Sequence, residues 1–492
     1  MRRLVASTAI NVVLQIAGAV VPALFMIITF PIMKAGLSAD SFATFAFLFT
    51  AISLMSVLDV GLGRSVTYFA ARHLQQGQRQ EAIRSLWAAI VIGLMMSAAV
   101  AVVVLLADYV FLAGRAANAG INFHTILRLL WFLPIFISGS LLRGFLEAEQ
   151  RFLAVNAIQL VYGASIAFAP LVTLHFTNYI GIYPVILGLI RSTLIVAYLL
   201  LIRKTQFGAM LPDRRIKFKL GEVLRYARWL FVSNLIGVAI VYADRISVAA
   251  NFSSEAISAY VVPMDLVMRG QVLIGALSTV LFPMLVRMAD RKSSGVIAGV
   301  ISGQYIIFGA LLLLATVAST LTPIALERWM GKAFSIDATL VTRIAVLGLV
   351  PVGCASLAMT VLHAQGRTAH PAALHVIEFA LYSAALWAAA RTGDVKYIIA
   401  SWLGRLCFDM AGTQYLLLRQ NLGALKIWTL QQVLFVGTLA IYFLLVLKGH
   451  GSGTLWVTAF GAMGIAMVVG GLKAMPGSPL TSGSTRAAPG SR

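Results

Sequence analysis

Six arginines, Arg128, Arg191, Arg245, Arg269, Arg343 and Arg405, lie inside stretches otherwise built of Leu, Val, Ile, Ala and Phe. At a bilayer centre each costs on the order of 2.5–3.5 kcal/mol on insertion scales, so each needs an acid, a wet cavity or a route to the interface. Arg128, Arg245 and Arg343 sit within about five residues of an end of their stretch and can snorkel outward. Arg191, Arg269 and Arg405 lie nearer the middle. Asp265 precedes Arg269 by four and Asp409 follows Arg405 by four, so each pair shares a helix face. Asp244 adjoins Arg245, Glu378 stands alone in its stretch, and Arg191 has no acid three or four residues away. Two chemistries fit: internal ion pairs that only hold helices together, or a cavity whose guanidinium groups grip an anion. Phosphate would be held bidentately, as lysine could not hold it. In that cavity Glu378, Asp265, Asp409 or Asp244 would exchange a proton or a sodium ion. Arg191 is the most purely anion-directed candidate; Arg269, Arg245, Arg405 and Arg128 join it.

A polar stripe accompanies them. Asn11, Gln15, Gly18 and Pro22 follow at steps of four, three and four, on one helix face. Pro22 loosens that helix unless neighbours bond the freed backbone groups. The seventh apolar run offers Asn234, Gly237 and Arg245 at compatible steps. Small-residue packing between helices accounts for such a stripe as well as a cavity lining does. Its recurrence at corresponding positions of two halves favours the cavity.

The elements that position these residues are transmembrane helices. The 492 residues are 60% hydrophobic and 11% charged, against roughly 45–50% and about 25% in soluble domains, which excludes a water-soluble enzyme. Runs of about 20 apolar residues cross a bilayer as helix, and they fall near 8–30, 40–62, 85–110, 123–146, 153–176, 180–202, 225–249, 257–286, 295–322, 339–363, 371–391, 395–418, 426–447 and 453–472. The expected fold is therefore an all-α polytopic membrane protein of about 14 helices. With the amino terminus inside, 25 of the 38 Lys and Arg lie in cytoplasmic connections and seven in outer ones, the bias that sets orientation. Both termini are then cytoplasmic. The net charge of +21 is mostly topological and facing anionic lipid, so no nucleic-acid partner is expected. The longest outer connection is about 16 residues, between the ninth and tenth runs.

Composition shifts divide the chain into helices 1–6 over 1–204, a basic cytoplasmic linker at 205–222, helices 7–12 over 223–420, an added pair over 421–474, and a disordered tail at 475–492 rich in Gly, Ser, Pro and Thr. An even helix number per half relates the halves by an axis along the membrane normal. No nucleotide-binding loop, HExxH or CxxC occurs, and Cys354 and Cys407 read as small core thiols. No cofactor or metal is expected.

Several blocks resemble the polysaccharide-transport branch of the multidrug/oligosaccharidyl-lipid/polysaccharide flippase superfamily, which includes the Wzx-type lipid-linked oligosaccharide flippases. In the first half these are Leu58-Asp59-Val60-Gly61-Leu62-Gly63-Arg64 with Ala70; in the second, Tyr242-Ala243-Asp244-Arg245, Tyr260 to Asp265, Arg269 and Phe282-Pro283. Trp329-Met330-Gly331, Gln365-Gly366-Arg367, His375 to Glu378 with Tyr382, and Arg405 with Asp409 follow in the same order. The likeness extends over most of residues 1–420. It implies two six-helix lobes in a V around a central cavity, moving a polyprenyl-pyrophosphate-linked sugar repeat unit across a bacterial inner membrane by alternating access. Asp59, Gly61 and Arg64, with Pro22, would then be motif or gating residues. Implied partners are the lipid-linked glycan, membrane lipids, a coupling proton or sodium ion, and the polysaccharide polymerase and export machinery. A cation-coupled multidrug exporter of the same superfamily is the alternative, although its cavity would be acidic rather than arginine-bearing. A membrane sugar polymerase would need a large outer loop with catalytic Arg and His.

Overall fold

The structure, a computed structural model, describes residues 21–57, 62–107, 127–177, 179–203, 236–237, 239–271, 294–364, 369–419, 435–438, 441 and 454–474. Among them helix is the only regular structure: α1 (Val21–Gly36), α2 (Ala39–Val57), α3 (Leu62–Gln75), α4 (Arg79–Ala107), α5 (Leu133–Ala148), α6 (Phe152–Phe176), α7 (Tyr183–Arg203), α8 (239–251), α9 (Ser254–Met268), α10 (Ser294–Met330), α11 (Lys332–Ala364), α12 (Ala369–Ala390), α13 (Val395–Leu418) and α14 (Thr454–Ala474). Seven of the described helices are long and apolar enough to cross a membrane. Such a chain is helical because hydrocarbon offers backbone N–H and C=O groups no other partner. The expected linker at 205–222 and tail at 475–492 lie outside the described residues, as do parts of the runs at 225–249, 257–286 and 426–447.

Met1–Leu266 forms one compact unit and Val267–Arg492 a second. Lipid is as apolar as leucine, so helices in each unit associate through close contact and hydrogen bonds. In the first unit Phe42, Phe45 and Phe49 repeat at helical spacing on α2 and meet Phe30 of α1, with ring centroids 5.3–6.3 Å apart; Tyr183 of α7 lies 5.8 Å from Phe45. Each aromatic pair contributes about 0.5–1.5 kcal/mol beyond its area.

Between α2 and α4 the sequence predicts a plain connection, yet α3 fills it. Leu62, Gly63, Ser65, Val66 and Ala70 are its buried face, laid on α4 and α5. The helix is too short and too polar to register as a span, although one stripe is apolar. A Cβ on Gly144 of α5 would stand 2.4 Å from the Gly63 carbonyl oxygen, so only glycine permits this crossing. Thr67 Oγ1 lies 3.0 Å from both the Gly63 and Gly144 carbonyls and bridges them.

In the second unit the expected outer connection of about 16 residues is helix instead. α10 continues to Met330 and α11 begins at Lys332, parted by Gly331 at φ 90°, a left-handed stop that glycine takes without strain. Glu327, Arg328 and Lys332 are exposed on these turns, which explains their departure from the apolar pattern. α10 packs along α11 and α14, while α13 packs on α11 and α12.

Two internal prolines show how freed backbone groups are bonded. A helical proline displaces the carbonyl four residues earlier. For Pro170 in α6 that carbonyl is Ile166, and the Tyr183 hydroxyl donates to it at 3.2 Å. For Pro323 in α10 it is Ser319, and Arg343 Nε donates to it from α11 at 3.1 Å.

Candidate functional site

Arg343 is thus placed as a backbone partner. Arg128 is also tied locally: it donates to the Tyr179 hydroxyl at 3.0 Å and the Gly181 carbonyl at 3.3 Å, at the α6–α7 connection. Arg128 opens the short helical turn before α5 and is exposed, whereas Arg343 lies eleven residues inside α11, away from the helix end its sequence position suggested, and bonds inward to α10.

Arg191 has a different setting. It projects from α7, is 4% exposed, and lies 4.6 Å from the Tyr162 ring centroid of α6 and 5.2 Å from that of Phe136 of α5. Its Nη2 donates to the Phe136 carbonyl at 3.1 Å, while Nε has no hydrogen-bond partner. The Gly139 face leaves the room: a Cβ there would meet the guanidinium at 3.0 Å. Aromatic faces attract a desolvated guanidinium without neutralising it. Arg191 therefore keeps its full formal charge with no carboxylate bonded to it among the described residues.

Arg245 is the opposite case. On α8 it donates from Nη1 to Asp244 at 3.3 Å and from Nε to Asp265 of α9 at 3.1 Å. Asp265, four residues before Arg269 in sequence, thus meets an arginine of α8. Tyr260 donates to Asp244 Oδ2 at 2.7 Å, and Thr50 of α2 to Asp265 Oδ2 at 2.5 Å. Asp244 is 0% and Arg245 2% exposed. Two carboxylates face one guanidinium, a formal charge of −1 for the three groups.

A second cluster joins α12 and α13. Arg405 Nη1 donates to Glu378 Oε1 at 2.9 Å and its guanidinium lies 5.4 Å from the Tyr382 centroid. Glu378, isolated along the chain, is the acid Arg405 finds; Asp409, its neighbour by spacing, instead stands 4.0 Å from His375 Nε2. Asp409 Oδ1 is buried and has no hydrogen-bond partner. One donor atom each from His375, Glu378 and Asp409 lies within 4.8 Å of the others, a set able to hold a proton or a small cation. With His375 neutral these groups and Arg405 again sum to −1.

Arg269 follows α9 in a turn and is partly exposed. Pro22 is buried in α1. Arg64 lies in α3. Asn11, Gln15, Asn234, Asp59 and Gly61 lie outside the described residues. Sequence reasoning missed Tyr260, Thr50, Tyr162 and His375 as partners. His375 carried a signal in its i, i+3 spacing to Glu378, and Tyr260 in the block that runs to Asp265; Tyr162 sits on the helix preceding that of Arg191, and Thr50 alone comes from a helix remote in the chain. It also missed Gln414, fully buried on α13 and donating to the Cys354 carbonyl of α11 at 3.2 Å.

Comparison with known proteins bears on this arrangement. The chain is 20% identical over 415 residues to a Shigella flexneri protein named as a candidate O-antigen transporter, covering 83% of this chain and 97% of that protein. In structure it is similar to an inward-facing multidrug resistance MATE family transporter of the MOP superfamily, with TM-score 0.65, 14% identity, and 84% of this chain and 99% of that one covered. It is also similar to the lipid II flippase MurJ in an inward closed conformation, with TM-score 0.62, 14% identity, and 95% and 98% covered. At these identities the structural likeness is one of fold, and it is the fold the resemblance implied. The family described as polysaccharide biosynthesis protein matches residues 4–289, more than half of the chain. This polytopic, all-helical membrane protein therefore belongs to the polysaccharide biosynthesis protein family, on the fold of the MOP superfamily.

Proposed function

We propose that the chain flips a polyprenyl-pyrophosphate-linked oligosaccharide repeat unit across a bacterial inner membrane, with both termini cytoplasmic, by alternating access between residues 1–204 and 223–420. The family match over residues 4–289 is the observation that carries this reading. The anionic head group calls for cations held in low dielectric, and Arg191 supports that role because, among the described residues, no acid is bonded to it. Arg269 is the second anchor of the pyrophosphate. Arg245 and Arg405 are each outnumbered by carboxylates and contribute orientation rather than anion binding. Coupling to a proton or sodium gradient falls to Glu378, Asp409 and His375, where a buried carboxylate oxygen lacks a donor. A net −1 cluster in low dielectric is stabilised by one added positive charge. Neighbouring polymerase and export proteins would take up the flipped unit.

Complementation of a strain lacking its glycan flippase tests this. Wild type should restore surface polysaccharide, and Arg191→Ala or Arg269→Ala should lose it while the protein remains inserted and abundant. Full surface glycan from both variants would sink the anion-binding assignment. Drug resistance without glycan from wild type would favour the multidrug alternative.

A further inference from the structure

Three donors from two helices converge in the second unit. His375 and Glu378 stand three apart on α12 and so share a face, and Asp409 reaches them from α13, which packs along α12. One donor atom from each lies within 4.8 Å of the other two, and His375 Nε2 stands 4.0 Å from Asp409 Oδ1. Glu378 is 2% exposed and gives Oε1 to Arg405, which leaves it a second carboxylate oxygen to offer. Asp409 Oδ1 is buried without a hydrogen bond, a state that native proteins resolve with a water or an ion.

The donor set selects among cations. Hard cations such as calcium and magnesium take cages of about six or more oxygens, and among the described residues this cluster offers two carboxylates and an imidazole. That mixture suits zinc and its first-row neighbours, which accept three protein ligands and keep a fourth position open. Ligands about 2.0–2.2 Å from a tetrahedral zinc stand roughly 3.3 Å from one another, so the three donors need to draw in by about 0.7–1.5 Å. The side chains of His375 and Asp409 are partly exposed, at 29% and 19%, and can turn that far. With His375 neutral, a divalent ion reverses the negative charge of these groups and Arg405, and a hydroxide or chloride at the open position offsets it. Glu378 lies 12 residues before Ala390, the last of α12, and Asp409 14 residues after Val395, the first of α13. A shared ion therefore ties the two helices about 20 Å from the hairpin that connects them.

We propose that His375, Glu378 and Asp409 form a site for a divalent transition-metal ion of the zinc type, which staples α12 to α13 at the ends remote from their hairpin. Binding stands apart from the transport reading. Its consequence rests on that reading, because the same three groups serve there for coupling, and an ion held on them should stop gradient-driven export. Full-length protein in detergent, without affinity-tag histidines and stripped by a chelator, is titrated with zinc chloride in a calorimeter. One ion per chain should bind, and His375→Ala and Asp409→Asn should each weaken it at least about tenfold, equivalent to about 1.4 kcal/mol. Both variants keep the buried Glu378–Arg405 pair. His370→Ala, on the exposed first turn of α12, should leave binding unchanged. Cobalt(II) gives a readout that a simple His375–Asp409 ion pair would not move: wild type should turn its visible absorption into the strong form of a four-coordinate ion, and the two cluster variants should not. No saturable zinc binding, or binding that both cluster variants leave intact, would overturn the site; displacement of zinc by an equal concentration of magnesium would overturn the choice of ion. Zinc bound to wild type with export in membrane vesicles at its full rate would keep the site and reject its use in coupling.

Discussion

The clusters around Arg245 and Arg405 have the same composition, one guanidinium against two carboxylates, and differ in what surrounds the acids. Around Arg245 the carboxylates take donors from Tyr260 and Thr50 as well as from the arginine. Around Arg405 one acid is taken by the arginine, and the other faces a histidine 4.0 Å away with an oxygen unbonded. Equal formal charge thus accompanies unequal saturation. A saturated cluster fixes helices; an unsaturated one has room for a proton or a cation.

The contrast can be broken at several points. Arg245→Ala strands two buried carboxylates and should destabilise the protein by about 3–5 kcal/mol, read as loss of abundance and a lower unfolding midpoint in detergent. The triple change Asp244→Asn, Arg245→Gln, Asp265→Asn should recover much of that loss; no recovery would mean that the charge is used otherwise. Tyr260→Phe removes one donor from fully buried Asp244 and should cost about 1–3 kcal/mol in the same assay. Asp409→Asn should cost less than about 1 kcal/mol, since no hydrogen bond to Oδ1 is lost, yet make export insensitive to collapse of the proton or sodium gradient. A large stability loss from Asp409→Asn with gradient dependence intact would erase the distinction between the two clusters.

Much of the fold was legible because hydropathy over 20 residues reports the solvent directly: the runs at 153–176 and 180–202 match α6 and the α7 region within a few residues. α3 was not legible, since a one-sided helix with a polar face looks like a connection. Nor was the continuation of α10 and α11 to Gly331, where helix outlasts the hydrocarbon. In the site, spacing along one helix suggested Arg405 with Asp409 and Arg269 with Asp265, and it did not foresee the pairs made across helices, Glu378 with Arg405 and Asp265 with Arg245. Local spacing sees one helix face, whereas a buried charge finds its partner in three dimensions. Hydropathy singled out six span arginines without separating them; in three dimensions Arg245 and Arg405 meet carboxylates, Arg128 and Arg343 meet backbone carbonyls, and Arg191 meets aromatic rings and a carbonyl.

The contact between Arg343 and the Ser319 carbonyl links two positions whose tolerance to change should be conditional. Arg343→Met alone leaves a carbonyl without a donor at the bend of α10, a loss of about 1–3 kcal/mol, measurable as a lower unfolding midpoint. If Pro323→Ala comes first, the amide of residue 323 bonds that carbonyl and the arginine becomes dispensable. The order of the two substitutions then decides whether the intermediate survives, so a lineage that has acquired Pro323 in its tenth helix is held to a basic residue at 343 for reasons unrelated to its cargo.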